Sequence, residues 1–274
     1  MGIHSILGAD LITSKTNSTI VKIGKLYNKK YRNIDKLFLC DGIKLFKEAC
    51  DFCGKISYII VNDEMDFDLD VINKIKEKRN IGTVVICVTD EVFSKLSKEN
   101  APQGIITVLE YLDELHTFST NVKNLESNEK VLVIESVRDP GNIGTIIRNA
   151  AAFGVNRLIL SSDCADIYSS KVIRASMGAI FKVCIDVVSN LTEVIKTIKN
   201  QGKRVLCAGF EENSLKLGKD QISKNDVIVV GNEGHGVSKE ILDICDQTIM
   251  IPMETNTESL NAAIAASIFM WELY

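Results

Sequence analysis

Three loops in the second half of the chain carry glycine and polar side chains in patterns suited to holding a ligand and acting on it. The first reads Arg138-Asp-Pro-Gly-Asn142-Ile-Gly144 and runs on into Thr145-Ile-Ile-Arg148-Asn149-Ala-Ala-Ala-Phe153-Gly154. It sets Asn142 near a predicted helix N-terminus and Arg148 about one turn further along. The second reads Gly231-Asn232-Glu233-Gly234-His235-Gly236, three glycines around one carboxylate, which lets backbone approach a ligand closely. The third reads Glu254-Thr255-Asn256-Thr257-Glu258-Ser259-Leu260-Asn261 and leads into the alanine-rich run 262–273. Taken singly, each has a structural explanation: turn glycines, Ser259 as a helix N-cap, Arg148 as a surface ion-pair partner. Taken together, at the ends of three strand-like runs, they read as one ligand site offering amide, guanidinium, hydroxyl and carboxylate groups.

Spacing excludes several other chemistries. No G-x-G-x-x-G follows a strand-like run, and no G-x-x-x-x-G-K-[ST] occurs, which removes the dinucleotide and nucleoside-triphosphate fingerprints. The G-x-S-x-G elbow of a hydrolase is missing too. Of the three histidines, only His235 stands among the motifs, and it reads as a loop residue. Cys50 and Cys53 form a lone C-x-x-C with no second ligand pair to answer it, so no metal is expected.

The elements that must position these loops follow from periodicity. Strand-like runs at 36–40, 57–61, 83–88 and 104–108 alternate with helix-like stretches at 18–29, 43–52, 71–78 and 91–97, a small α/β layer domain. The pattern weakens into a polar stretch from 110 to 130. Beyond it, β-branched apolar runs return at 131–137, 157–160, 181–185, 204–208, 226–230 and 248–253, with helices beginning near Thr145, Ser169, Asn190, Ser238 and Ser259. Strands buried on both faces and separated by helices predict a mostly parallel sheet, whose ligands bind beyond the carboxyl ends of the strands. The expected organisation is a domain at 1–112, a linker at 113–129 and a second domain at 130–274.

The 274 residues hold 46% hydrophobic side chains, enough for two real cores, and no run of about 20 apolar residues that would span a bilayer. With no secretory signal at its start, the chain is expected in the cytoplasm, and its eight cysteines, among them Cys87, Cys184 and Cys207, are expected as reduced, buried thiols. A net charge of −4 argues against indiscriminate coating of nucleic acid. Distribution matters more than the sum: between Lys15 and Lys55 stand ten basic residues against four acidic ones. A solvated helix face and a phosphate-tracking surface both fit that segment.

In their order, the three loops resemble the signature motifs of the SpoU branch of the SPOUT methyltransferase superfamily. The matching residues are Asn142-Ile-Gly-Thr-Ile-Ile-Arg148-Asn-Ala-Ala-Ala-Phe-Gly154, then Val229-Val-Gly-Asn-Glu233-Gly-His-Gly236, then Ile251-Pro-Met253 followed by Glu258-Ser259-Leu260-Asn261-Ala. Tyr168-Ser-Ser-Lys171-Val-Ile-Arg174-Ala-Ser-Met177-Gly-Ala179 resembles a further family segment. In the first half, Ile12-Thr-Ser-Lys15-Thr-Asn17, Lys29-Lys30-Tyr-Arg32, Phe38-Leu-Cys-Asp41-Gly42 and Pro102-Gln103-Gly104-Ile105 resemble the RNA-binding domain of the ribosomal RNA members.

The resemblance implies an α/β chain with a C-terminal trefoil-knotted parallel-sheet domain, a threading that sequence alone would never suggest. It implies S-adenosylmethionine as cofactor, bound by Gly231, Asn232, Glu233, Gly234, Ile251, Met253, Ser259 and Leu260, with adenine against backbone near Gly231, Ile251 and Leu260. It also implies a homodimer with active sites completed across the interface. The implied reaction is methylation of a ribose 2′-hydroxyl in structured RNA, 23S ribosomal RNA first. The alternatives are transfer RNA as substrate, or a non-catalytic RNA- or ribosome-binding factor on the same fold.

By the same resemblance Arg148 activates the hydroxyl, Asn142 holds Arg148 or the ribose, Glu233 anchors a cation or loop, and Ser259 and Asn261 support the arginine and the knot. A guanidinium holds its proton too firmly to serve readily as a base and is better suited as a phosphate ligand and alkoxide stabiliser. Lys15, Lys29, Lys30, Arg32, Lys171 and Arg174 are the expected RNA contacts. The chain departs from the family pattern at Thr255, where many members have glycine, at Ser170, where some have proline, and at Asp41, where glutamate is commoner.

Overall fold

The computed structural model describes residues 2–52, 55–119, 125–126, 128–232, 234–254 and 259–274. They form two compact units, the first made of residues 1–112 with Tyr168–Phe181, the second of Asp113–Ile167 with Lys182–Tyr274.

In the first unit the described strands are β1 (Leu11–Ile12), β2 (Leu37–Asp41), β3 (Ile56–Asn62), β4 (Val84–Val88) and β5 (Ile105–Glu110), in the order β1-β4-β3-β5-β2. β1, β4 and β3 are parallel, and β5 is antiparallel to both of its neighbours. The helices are α1 (Ile3–Leu7), α2 (Ser18–Lys25), α3 (Lys29–Asp35), α4 (Ile43–Phe52), α5 (Leu69–Asn80) and α6 (Asp90–Leu96). The helix expected at 18–29 is two helices, because Asn28 interrupts it: its side-chain oxygen accepts the Lys30 amide at 2.9 Å and caps a new start. Ile20, Ile23 and Leu26 recur at helical spacing and pack with Val92, Phe93 and Leu96 on Ile60, Val88 and Ile106. Each such buried side chain contributes about 1.5–3 kcal/mol.

The second unit holds β6 (His116–Ser119), β7 (Val131–Ile134), β8 (Arg157–Ser161), β9 (Cys184–Val188), β10 (Val205–Ala208), β11 (Leu215–Lys216), β12 (Val227–Val230) and β13 (Gln247–Met250). Their order is β11-β13-β10-β12-β7-β8-β9-β6, and every neighbouring pair is parallel. The later helices of the chain are α7 (Pro140–Ala152), α8 (Ser170–Ser176), α9 (Leu191–Asn200), α10 (Lys239–Leu242) and α11 (Ala262–Leu273), of which α8 belongs to the first unit. β7 and β12 are buried at every position, as continuous β-branched runs require when both faces are covered. Val194, Ile195 and Ile198 of α9 and Ile241 of α10 cover one face, against Val131, Val133, Val205, Val227 and Val229. α11 packs on α7 and on β12.

Several starts and boundaries differ from expectation for identifiable reasons. α7 begins at Pro140 and not near Thr145, because the Asp139 carboxylate caps it, accepting the Asn142 amide at 2.9 Å, and proline suits a first helical position. α11 spans Ala262–Leu273, as the alanine-rich run predicts, but its cap is Asn261 and not Ser259, Asn261 Oδ1 accepting the amides of Ala263 (2.9 Å) and Ile264 (3.3 Å). The run 181–185 splits into a 3-10 turn at Ala179–Phe181 and the strand β9.

The stretch 113–129, expected as linker, contributes β6, which pairs with β9 at the end of the sheet. Thr117 donates its hydroxyl to Asp186, which also accepts Arg157 Nη1 at 2.7 Å, while Arg157 Nε reaches Glu129 at 2.7 Å. Asp186 is buried, and partners of this kind are what let a buried charge persist.

The segment Tyr168–Phe181 lies with the first unit because its apolar groups find their core there. The Tyr168 ring sits 4.1 Å from that of Tyr111 and 4.6 Å from that of Phe38, and its hydroxyl accepts the Leu112 amide at 2.8 Å.

Not all cysteines are free. Cys87 and Cys184 are thiols, but Cys207, expected as one, is joined to Cys245, with Cα atoms 6.4 Å apart. Cys245 follows α10 and packs against the same cluster that buries Cys207, which brings the pair together. Cys53 lies outside the described residues. Among the described residues no helix is long and apolar enough to cross a membrane.

Candidate functional site

A cavity of about 450 Å³ opens at the carboxyl ends of β10, β12 and β13, three adjacent parallel strands. From β7 the chain builds the sheet outward through β8 and β9, then returns to lay β10, β12 and β13 on the other side of β7. Such a reversal of strand order is where open parallel sheets gather their ligands. Of the residues expected to bind cofactor, Gly231, Asn232, Gly234, Ile251, Met253, Ser259 and Leu260 all line this one cavity. Glu233 lies outside the described residues, as do Thr255 and Glu258. Sequence reasoning missed Ala208-Gly209-Phe210 after β10, a fourth strand-end loop with a glycine, and the α11 residues Ala262, Ala265 and Phe269 that form a wall. The signal was there in Gly209, directly after the apolar run 205–208.

The loop after β12 is held tightly from within. The Asn232 amide donates to the Gly236 carbonyl at 3.0 Å and the Gly236 amide returns the bond at 2.9 Å, with Gly236 in the left-handed region at φ +68°. Asn232 Oδ1 accepts the Gly234 amide at 2.8 Å, and Asn232 Nδ2 donates to the Ser136 carbonyl at 2.9 Å. A Cβ on Gly231 would fall 2.2 Å from the Gly236 carbonyl carbon and 2.3 Å from the Val237 nitrogen. Only glycine fits there. Glu135 ties the same loop to the end of β7: its amide donates to the Val230 carbonyl at 2.9 Å, and its carboxylate accepts the Ser238 amide at 2.8 Å.

Asn142 and Asn261, far apart in sequence, meet: Asn261 Nδ2 donates to Asn142 Oδ1 at 3.0 Å. That bond joins the first turn of α7 to the cap of α11, beside the cavity residues Ser259 and Leu260. Arg148 does not line the cavity. It is exposed on α7 and has no hydrogen bond or ion pair among the described residues. Near it, Thr145, Asn149 and Phe153 of α7 form an open groove of about 320 Å³ with Ala263, Ile264, Ser267 and Trp271 of α11. Asn149 donates to the Ser267 hydroxyl across it at 2.6 Å. Ile264 (52%) and Trp271 (61%) remain exposed on a helix that is apolar on nearly every side.

The expected RNA contacts divide in two. Lys29 and Lys30 at the start of α3, and Lys171 in α8, are exposed without ion-pair partners among the described residues. Lys15 is paired with Glu91 and Arg174 with Glu99. Arg32 is only 3% exposed and turns inward, Nη1 donating to the Leu26 carbonyl at 2.8 Å, so it braces the α2–α3 turn. Asp41 is likewise internal: burial pushes its carboxyl up to about 6, against a 2.5 Å hydrogen bond from Ser97 that favours the charged form. Among the described residues no group of histidine, cysteine and carboxylate side chains is poised to hold a metal.

Comparison with known proteins agrees with this arrangement. The SpoU rRNA Methylase family matches residues 129–271, just over half of the chain, and the MRM3-like substrate binding domain matches residues 17–107. The chain is 30% identical over 262 residues to the 23S rRNA (guanosine(2553)-2′-O)-methyltransferase RlmP of Bacillus subtilis, covering 96% of this chain and 98% of that one. A putative TrmH family tRNA/rRNA methyltransferase of Staphylococcus haemolyticus is 34% identical, over 75% of this chain and 81% of its own length. Among solved structures, the AdoMet-bound rRNA methyltransferase from Sinorhizobium meliloti superposes with a TM-score of 0.83 at 28% identity, over 97% of both chains. With the motif residues gathered round one strand-end cavity and the family's full domain pair matched in order, the chain belongs to the SpoU rRNA methylase family.

Proposed function

We propose that the chain transfers a methyl group from S-adenosylmethionine to a ribose 2′-hydroxyl of structured RNA, with 23S ribosomal RNA as the substrate. The observation that carries this reading is the cavity beyond β10, β12 and β13, whose volume lies within the range of roughly 300–1,000 Å³ typical of small-molecule sites. Its features fit a nucleoside-bearing cofactor: a wall of glycine backbone at Gly231, Gly234 and Gly236, closed so tightly that Gly231 admits no Cβ, and the exposed Phe210 ring as a flat apolar surface at the rim. S-adenosylmethionine, when bound, supplies a methyl group on a sulfonium. The activities of the B. subtilis and S. meliloti relatives support the reading, as does the match to a substrate-binding domain.

The protein's own task is to hold the hydroxyl in line with that methyl, an arrangement that supplies up to roughly 7–11 kcal/mol in well-oriented systems. Arg148 stabilises the developing alkoxide or grips the adjacent phosphate through its guanidinium. The Asn142–Asn261 bond fixes the start of α7 to the cap of α11, next to the cavity residues Ser259 and Leu260. We infer that the C-terminal domain carries the family's trefoil knot.

Arg148 stands outside its own chain's cavity, and α11 exposes apolar side chains on a helix suited to burial on all sides. A second copy of the chain docked on the α7–α11 face accounts for both. In that homodimer Arg148 of one protomer serves the cavity of its partner. Lys29, Lys30 and Lys171 meet RNA phosphates, with Lys15 and Arg174 exchanging Glu91 and Glu99 for them, and Arg32 keeps its structural place. The activity belongs in the cytoplasm, with the ribosome.

Radiolabelled S-adenosylmethionine incubated with total RNA from cells lacking the gene tests this directly. The expected result is label in 23S ribosomal RNA that maps to a ribose. Label confined to transfer RNA would move the substrate, and neither label nor cofactor binding would leave a non-catalytic RNA-binding factor.

A further inference from the structure

The short connection from β7 to α7 holds a residue in a costly conformation. Ser136 lies in the left-handed region at φ +57°, which a residue with a Cβ rarely adopts and which persists only where its surroundings over-determine it. Here they do. The Ser136 amide donates to Ser161 Oγ at 2.8 Å, its hydroxyl to Asp163 Oδ2 at 2.7 Å, and its carbonyl accepts Asn232 Nδ2 at 2.9 Å. Ser161 in turn donates to the other Asp163 oxygen at 2.6 Å, and the Ala165 amide to the Val137 carbonyl at 3.0 Å. Because β7 stands between β12 and β8, this connection is clamped on one side by the cofactor loop and on the other by the loop after β8.

The clamp delivers one side chain to the surface. Arg138 Nη2 donates to Asp163 Oδ2 at 3.3 Å, yet the arginine side chain is 74% exposed. Burial works against the Asp163 carboxylate, but the hydrogen bonds from Ser161, Ser136 and Arg138 outweigh it and hold the group below the usual range, so it stays anionic. One of the five guanidinium donors is thereby fixed while the rest of the fork faces solvent. The loop so braced is the one bonded to Asn232 at the cavity.

Resting on the reading of the chain as an RNA-modifying enzyme, we propose that Arg138, aimed by the Ser136–Ser161–Asp163 bracket, is a phosphate contact that sets the target strand at the mouth of the cofactor cavity. A guanidinium fork is the group suited to bidentate phosphate recognition, and pre-orientation by Asp163 reduces the freedom lost on binding. The bond from Asn232 Nδ2 to the Ser136 carbonyl ties this bracket to the cofactor loop.

The test is filter binding of an in vitro 23S ribosomal RNA transcript across a range of salt, together with methyl-transfer kinetics and cofactor titration, on the full chain. Arg138→Ala is expected to raise Kd and KM for RNA about tenfold and to flatten the slope of log Kd against log salt by about one, with cofactor affinity unmoved. Arg138→Lys should restore the slope but not all of the affinity, and Asp163→Asn should weaken RNA binding by about threefold, since the fork loses its brace. A wild-type slope and Kd in Arg138→Ala would overturn the contact even with methyl transfer intact. Lost cofactor binding in that variant would overturn it too, by showing that the residue props the loop. Wild-type protein that binds RNA without transferring methyl, while Arg138→Ala still weakens binding, would retire the functional reading and leave the contact standing.

Discussion

Replacing Arg148 with alanine is expected to lower methyl transfer by about a thousandfold, the loss typical of removing a charge-stabilising donor from a reacting centre. Stability should stay within about 0.5 kcal/mol of wild type, because the side chain is exposed and has no partner among the described residues to lose. Cofactor affinity should also hold, since Arg148 does not line the cavity of its own chain. Arg148→Lys should recover only part of the rate, keeping charge without the planar fork. A shared site adds a sharper expectation. When Arg148→Ala subunits are mixed and refolded with subunits whose cofactor cavity is spoiled, about a quarter of wild-type activity should return, because half the dimers are mixed and each has one intact site. Wild-type turnover by Arg148→Ala would remove the residue from the reaction, and no recovery on mixing would confine each site to one chain.

The spoiled cavity is provided by Gly231→Ala, the second large effect. Its methyl would lie 2.2 Å from backbone of Gly236, and backbone cannot swing aside as a flexible side chain does. The loop must therefore open, breaking the paired Asn232–Gly236 bonds and tilting the cavity wall. We expect cofactor affinity to fall at least a hundredfold, about 2.7 kcal/mol or more. Overpacking of this kind costs about 1–3 kcal/mol of stability, a melting shift of several degrees in a chain of this size. Gly234→Ala is the fitting comparison, since its added methyl would meet only the Asn232 side chain at 3.4 Å and should cost far less. Equal cofactor titrations for the two variants would show that the close approach at Gly231 does not shape the site.

The parallel sheet was legible because β7 and β12 are uninterrupted apolar runs, and the cavity because glycines follow them. Starts of helices were less so. Asp139 and Asn261 cap α7 and α11, but Thr145 and Ser259 are as good caps by composition, and only the hydrogen bonds decide. β6 escaped notice since His116-Thr-Phe-Ser alternates weakly, and what holds it is a buried acid from β9 seventy residues on, a pairing with no local trace. The exposure of Arg148 follows from the apolar stripe Ile143, Ile146, Ile147 and Ala150, which turns it outward, but the packing of α11 on α7, with Asn149 bonded to Ser267 across more than a hundred residues, leaves no local trace. Arg32 shows the same limit in reverse, a cation that reads as an RNA ligand but folds onto the Leu26 carbonyl.

The pairing of β6 with β9 bears on how the enzyme can be dissected. A truncation beginning at residue 129, where the methylase family match starts, would remove His116–Ser119 and leave the ladder of Cys184–Val188 open. It would also strip Tyr168 of Phe38 and Tyr111, leaving a large aromatic group in water. Apolar surface uncovered in this way favours aggregation, so the isolated fragment is expected to precipitate more readily than the full chain. The methylase half is in this sense not a separable module, and its solubility is supplied by residues that its family signature does not include.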